Sequence, residues 1–233
     1  MPATPILMIP GLNVTPRAFE AQMETLWHFG PVTIADHRQG GTVREIAESI
    51  LLDAPPRFAM GGFSFGGYIA FEIMRQAPER VMALALIDTM AIPDSPEASE
   101  KRATAIDLAL AGKFRTAISN NVAKSLHPDH AGNKELRAAL IAMAEATGPD
   151  VYVRHQQAIL TRPDSRPDLD DVTVPTMVIT GEADEATPPE AARDMAERIP
   201  GAKFRLIKGA GHFALMEEPD AVNAALKEWL EAA

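Results

Sequence analysis

The stretch Arg57-Phe58-Ala59-Met60-Gly61-Gly62-Phe63-Ser64-Phe65-Gly66-Gly67-Tyr68-Ile69-Ala70-Phe71-Glu72 decides the fold. Residues 57–61 read as a short apolar strand and residues 67–76 as a mostly apolar helix, with G-x-S-x-G from Gly62 to Gly66 at the junction. The letters alone are a modest signal, and the flanking strand and helix carry the weight. A strand that turns at once into a helix pushes the middle residue, Ser64, into a strained and exposed position. Gly62 and Gly66 leave the room that side chains would otherwise fill. The Ser64 hydroxyl then stands at the amino end of a helix, where developing negative charge is stabilised. A glycine-rich turn with an incidental serine is the alternative, and the partners found further along the chain weigh against it.

Outward from this junction, short apolar runs rich in β-branched residues alternate with helical stretches. Strands are expected at residues 6–9, 32–35, 57–61, 81–88, 176–180 and 203–207. This pattern predicts an α/β fold, a mostly parallel sheet of about six strands with helices on both faces, plus a small helical cap insertion. Several helices carry start signals: Thr15-Pro16, the capping-box spacing of Thr42-Val43-Arg44-Glu45, and Thr187-Pro188-Pro189-Glu190. The last helix should begin near Pro219 and run through Trp229. Between Ile92 and Arg166 the alternation stops. Proline-rich borders enclose Ala- and Leu-rich segments of helical character, such as residues 104–110 and 135–146. The expected division is a core of residues 1–91 and 167–233, with residues 92–166 as a helical cap over the strand ends. The alternative is that these helices continue the wrap around the sheet.

A serine hydroxyl is a poor nucleophile at neutral pH and needs a base within hydrogen-bond reach. Of six histidines, only His212 follows the expected final strand directly, in the tight loop Lys208-Gly209-Ala210-Gly211-His212-Phe213. His28, His37, His127, His130 and His155 read as surface or packing residues. The imidazole in turn needs a carboxylate to fix its tautomer. Asp184 follows the strand at 176–180, with Glu182 and Glu185 as rivals in the same loop. All these positions fall at the carboxyl ends of parallel strands, the edge where open α/β sheets bind ligands. Oxyanion donors are expected from the backbone N–H of Phe65 and of Leu12, with Asn13 as runner-up for the second. Asn13, Phe63, Met90 and Phe213 are expected to line a substrate pocket; no charged cluster near these motifs demands an ionic substrate, although Arg38, Arg154 and Arg162 could supply a cation from the rim.

Composition narrows the partners. The chain has 233 residues, 46% hydrophobic and 23% charged, with a net charge of −10 and no cysteine. That charge disfavours nucleic acid and anionic membrane. No disulfide or thiolate metal site is available, no apolar run reaches the roughly 18 residues that span a bilayer, and no basic-then-apolar leader opens the chain. A cytoplasmic protein, a monomer or small homo-oligomer acting on a small molecule, is the expectation. His127-Pro128-Asp129-His130 brings two imidazoles and a carboxylate together, but Pro128 breaks helical spacing and no third ligand motif accompanies it, so no metal is expected. The glycines form neither G-x-G-x-x-G nor a P-loop, so no nucleotide cofactor is expected either.

Taken together these motifs resemble the α/β-hydrolase superfamily. Asp36-His37-Arg38-Gln39-Gly40-Gly41 is similar to the family's D-x-R-G-type loop, Gly66 to Glu72 to its helix after the nucleophile, and Ala77-Pro78-Glu79-Arg80-Val81 to the lead into the next strand. Gly181 to Pro188 matches the acid loop, and Gly209 to Phe213 with Glu217-Glu218-Pro219 the histidine loop. The resemblance favours Asp184 over the neighbouring glutamates and implies a Ser64, Asp184, His212 triad in a carboxylic ester hydrolase. Two departures stand out. The family's common His-Gly after the first strand is Pro10-Gly11 here, and Phe63 stands where many relatives have histidine. Lactone, thioester or carbon–carbon bond cleavage and acyl transfer use the same machinery, and a catalytically inactive binding module is a rival of another class.

Overall fold

In the computed structural model, which describes residues 3–233, the apolar runs become strands and the intervening stretches helices. The chain runs β1 (Ile6–Ile9), a 3-10 segment (Pro16–Gln22), α1 (Met23–Trp27), β2 (Val32–Ile34), α2 (Val43–Asp53), β3 (Phe58–Phe63), α3 (Phe65–Gln76) and β4 (Val81–Ile87). Four helices follow, α4 (Pro96–Leu108), α5 (Phe114–Ser125), α6 (Lys134–Thr147) and α7 (Pro149–Leu160). The chain then returns through β5 (Thr176–Gly181), α8 (Pro189–Arg198), β6 (Lys203–Ile207), α9 (Ala214–Glu217) and α10 (Pro219–Leu230). The strands form one six-stranded sheet in the order β2-β1-β3-β4-β5-β6, and every pairing is parallel.

Side-chain alternation divides the core into two layers. Ile6, Met8, Ala83, Ala85 and Ile87 face one side, where they join Phe19, Leu26, Val222 and Trp229. Leu7, Ile9, Leu84, Leu86 and Val178 face the other, against Ile46, Ile69 and Ala192. The first apolar cluster continues without a break into Phe114, Ile118, Leu140 and Tyr152 of the helices between β4 and β5. The two ends of that helical excursion are tied together. Arg162, buried, donates to the Ile92 and Ile159 carbonyls at 2.8 Å each and pairs with Asp94 at 2.8 Å, and the Ser165 N–H donates to the Ala91 carbonyl.

β3 and α3 are longer than the sequence suggests, so that Ser64 alone separates them. Gly61 and Gly62, weak strand formers, belong to β3 because the sheet is crowded there: a Cβ on Gly61 would meet Met8 Cε at 2.6 Å. The expected cap at Thr15 is absent, since its side chain makes no capping bond and a 3-10 segment follows. Thr42 does cap α2, accepting from the Glu45 N–H at 3.1 Å. α4 ends at Leu108 in a wide turn, Ala109–Lys113, where Gly112 takes a left-handed φ of 74°. Strand order reverses between β1 and β3, and the loops leaving these two strands carry Leu12 and Ser64 to one crevice.

Candidate active site

Ser64 has φ 52° and ψ −114°, a region that non-glycine residues rarely occupy. Its own backbone is held on three sides: the Ser64 N–H donates to the Ile87 carbonyl at 2.9 Å, while its carbonyl accepts from Thr89 Oγ1 and the Gly67 N–H, both at 2.8 Å. Two glycines make the turn possible. A Cβ on Gly62 would meet the Gly66 carbonyl at 2.5 Å, and one on Gly66 would collide with the Ile9 backbone. The hydroxyl makes no capping bond to α3. It stands 2.9 Å from His212 Nε2 instead.

Residues from three strand ends meet here. His212 Nδ1 lies 2.9 Å from Asp184 Oδ2, which requires the Nδ1–H tautomer and leaves Nε2 to accept from Ser64. Asp184 is buried, whereas Glu182 and Glu185 are exposed, and Glu182 accepts from the Gly209 N–H at 2.6 Å. Asp184 Oδ1 accepts from the N–H groups of Ala186 (2.8 Å) and Thr187 (2.9 Å), and Oδ2 accepts from Thr187 Oγ1 at 2.6 Å. Thr187 thus serves the carboxylate rather than capping α8, whose cap position is Pro188. Burial alone would raise the Asp184 pKa, but facing His212 and the Thr187 donors hold it below the usual carboxylate range. Burial alone would lower that of His212, and the Asp184 carboxylate outweighs it and holds the imidazole above its ordinary value.

A further set of groups, invisible to sequence reasoning, fixes the loops. Asp88, fully buried at the end of β4 with φ 44°, accepts from the Gly181 N–H (2.9 Å) and the Ala214 N–H (3.1 Å), joining the loops of Asp184 and His212. Burial, with Asp184 nearby, pushes its pKa well up. Glu217 accepts from the N–H groups of Gly211 (3.0 Å), Phe213 (3.1 Å) and His127 (2.7 Å), and the His212 N–H donates to the Ser125 carbonyl at the end of α5. His37 Nε2, in the loop after β2, donates to the Gly11 carbonyl at 3.0 Å and anchors the loop after β1. The signal for Thr187 was its spacing of three from Asp184. Asp88, His37 and Glu217 bond to backbone groups, and no pattern of side chains announces them.

Among the described residues, neither the Leu12 nor the Phe65 N–H has a hydrogen-bond partner. Asn13, at φ 63°, turns the chain just after Leu12. Leu12, Asn13, Phe63, Met90, Phe213 and Ser64 all line one cavity of about 730 Å³ that reaches up between α4, α5, α6 and α7. Phe63, Phe213 and His212 form a ring cluster with centroids 5.5–5.6 Å apart. The expected rim arginines are elsewhere. Arg162 is buried in the ties described above, Arg38 pairs with Asp36 at 2.8 Å, and Arg154 donates to the Arg38 carbonyl. His127 and His130 lie with ring centroids 6.4 Å apart, and no group of three or more metal-ligating side chains is found among the described residues. No described helix is long and apolar enough to cross a membrane.

The sequence model of the alpha/beta hydrolase fold matches residues 51–219. The chain belongs to this family. An esterase from Thermogutta terrifontis superposes with a TM-score of 0.88 at 28% identity, covering 98% of this chain and 90% of that one. An enol-lactonase from Burkholderia xenovorans LB400 gives 0.88 at 24% identity, covering 99% and 92%, a likeness of fold alone. By sequence, a pimeloyl-[acyl-carrier protein] methyl ester esterase of Vibrio parahaemolyticus is 25% identical over 215 residues, 84% of this chain and 79% of that protein. The polyketide synthase ThaQ of Burkholderia thailandensis is 28% identical over 177 residues, 74% of this chain, and the match spans only 8% of the synthase.

Proposed function

We propose that this α/β hydrolase is a serine-dependent esterase that cleaves carboxylic esters of small, largely apolar molecules through an acyl-enzyme. The observation that carries this reading is the unbroken relay from Asp184 through His212 to the strained Ser64 hydroxyl, opening on a mostly apolar cavity beside two free backbone N–H groups. Ser64 Oγ attacks the ester carbonyl while His212 Nε2 takes its proton, and the N–H groups of Leu12 and Phe65 receive the oxyanion. His212 then returns the proton to the leaving alcohol. A water deprotonated by His212 releases the acid from Ser64. Asp184 keeps the imidazole in the Nδ1–H tautomer and stabilises its charged form, with Thr187 holding the carboxylate in place. Residues 92–166 act as a cap that shapes the acyl pocket. Esterases among the similar proteins support the same reading.

The test is turnover of p-nitrophenyl esters of increasing acyl length by wild type and Ser64→Ala, with chelator present. Wild type should turn over, and Ser64→Ala should lose about 10³-fold or more in kcat. Activity that survives the substitution, or no turnover of any ester by wild type, would overturn the proposal. The second result would favour acyl transfer, carbon–carbon cleavage or binding.

A further inference from the structure

The cavity above Ser64 is lined by charge opposite to that of the molecule. The chain has 32 acidic and 22 basic side chains, yet Lys101, Arg102 and Lys124 line the cavity against one acid, Glu185. Among the described residues neither lysine has a carboxylate within ion-pair distance. Arg102, on α4, is held in place. Its Nε donates to Asp94 Oδ2 at 2.7 Å and its Nη1 to Gln156 Oε1 at 2.5 Å, while Nη2 lies 3.4 Å from Asp94 Oδ1. Asp94 Oδ1 is also taken by Arg162, so one buried carboxylate faces two guanidinium groups and the network keeps an excess positive charge. Arg162 spends its N–H groups on backbone carbonyls and lies over the Tyr68 ring. Arg102 alone of the two lines the cavity, with an uncommitted N–H left on each terminal nitrogen.

Such an excess is costly in a partly buried setting unless an anion completes it. The cavity that holds both Arg102 and Ser64 is otherwise lined mostly by apolar side chains, Phe63, Met90, Ile118 and Val122 among them. A ligand suited to both has a reactive ester at one end, an apolar chain, and an anion at the other. We propose that the preferred substrates are half-esters of aliphatic dicarboxylic acids, with the free carboxylate received by Arg102 and attracted by the adjacent Lys101. The planar carboxylate matches paired guanidinium N–H groups better than a spherical anion does. This inference rests on the esterase reading above for its reacting end, and on the cavity wall alone for its anion end.

The experiment compares the monomethyl ester of adipic acid with its amide-terminated isostere, which has the same shape and no charge. Wild type should favour the half-ester by about tenfold or more in kcat/KM, expressed mainly in KM. Arg102→Gln should bring that ratio close to one, and Lys101→Gln, on an exposed helix position, should lower it by about threefold. In parallel, Ser64→Ala is titrated with adipate and with adipamide by calorimetry, a readout that needs no turnover. Turnover without preference, or a preference untouched by both variants, overturns the proposal and leaves the esterase reading standing. No turnover, but tighter binding of adipate than adipamide, supports the anion subsite and removes the esterase reading. Neither turnover nor selective binding removes both. Where Arg102→Gln fails to fold, Lys101→Gln and the calorimetry decide.

Discussion

Four donors converge on the Asp184 carboxylate: the Ala186 and Thr187 N–H groups, the Thr187 hydroxyl and His212 Nδ1–H. A carboxylate held this way stays ionised, and its charge reaches the reacting end only through His212. In the proposed mechanism the working form of His212 is neutral, so the rate falls as acid protonates it. Burial would make that protonation harder, but Asp184, with Asp88 and Glu217 behind it, makes it easier and raises the imidazole pKa. The expected profile of kcat/KM therefore rises with pH through an apparent pKa above the ordinary histidine value of roughly 6.5 and then levels off. Asp184→Asn should shift that rise to lower pH, because the raising charge is gone. It should also cost about 10³-fold or more in kcat, because the amide NH₂ favours the wrong tautomer. Both effects are read from one set of pH–rate measurements. A wild-type profile flat from about pH 5 to 8 would remove His212 from the role of base.

At the scale of elements, the same short pattern serves two ends. Thr42 and Thr187 both stand three residues before a glutamate at a helix start. Thr42 accepts from the Glu45 N–H, and Glu45 Oε2 reaches back to the Gly41 N–H at 2.7 Å, one residue beyond the usual box. Thr187 instead donates to a charged acceptor, Asp184, the stronger bond. Thr42→Ala should therefore lower unfolding free energy by about 1 kcal/mol and leave turnover unchanged. Thr187→Val should lower kcat by about three- to tenfold. Urea unfolding and steady-state rates on both variants check this, and the reverse pattern would overturn the assignment. The pair also shows where the sequence is legible. β1 and β6 coincide with their apolar runs to the residue, and Ser64, Asp184 and His212 each follow such a run. β3 was read only to Gly61 and α3 only from Gly67 because Gly62 and Gly66 look like loop residues, and only the close approach of the Gly66 backbone to Gly62 and of Ile9 to Gly66 explains them. The loop ties of Asp88, His37 and Glu217 join backbone groups distant in sequence, so they become visible only in three dimensions.

For the molecule as a whole, the join between the sheet core and the helices above it includes two buried histidines. His155 on α7 donates from Nε2 to the His37 carbonyl at 2.9 Å, and His37 donates from Nε2 to the Gly11 carbonyl. Their rings lie 4.8 Å apart, and Phe65 lies 4.7 Å from His155. His155 Nδ1 is buried without a partner, so a proton there would have no acceptor. Burial lowers the His37 pKa to about 4, with Arg38 lowering it further and the Gly11 carbonyl and Asp36 acting against the shift. Burial, with His37 and Arg154 adding to it, lowers that of His155 to about 3, against the His37 carbonyl and Asp36. In the unfolded chain both titrate near roughly 6.5. Between that value and the folded pKa values, the unfolded state binds more protons, so stability is full above the window and falls as pH drops through it. The shift at His37 corresponds to about 3 kcal/mol, with His155 adding a comparable amount. The lowered carboxylates Asp36, Asp94 and Asp184 begin to cost stability only at lower pH. The raised carboxyls of Asp88 and Glu217 act with the opposite sign, since the native state holds protons there that the unfolded chain has released, so urea unfolding of wild type should show free energy falling from about pH 6 to pH 4 by less than the two imidazoles alone would give. His155→Phe keeps the ring stack and removes one buried base, so the slope over that interval should flatten by about 1.4 kcal/mol per pH unit, whatever the variant's stability at pH 7. A slope that His155→Phe leaves unchanged would mean that His155 is protonated alike in both states, and the acid sensitivity would have to come from the other groups.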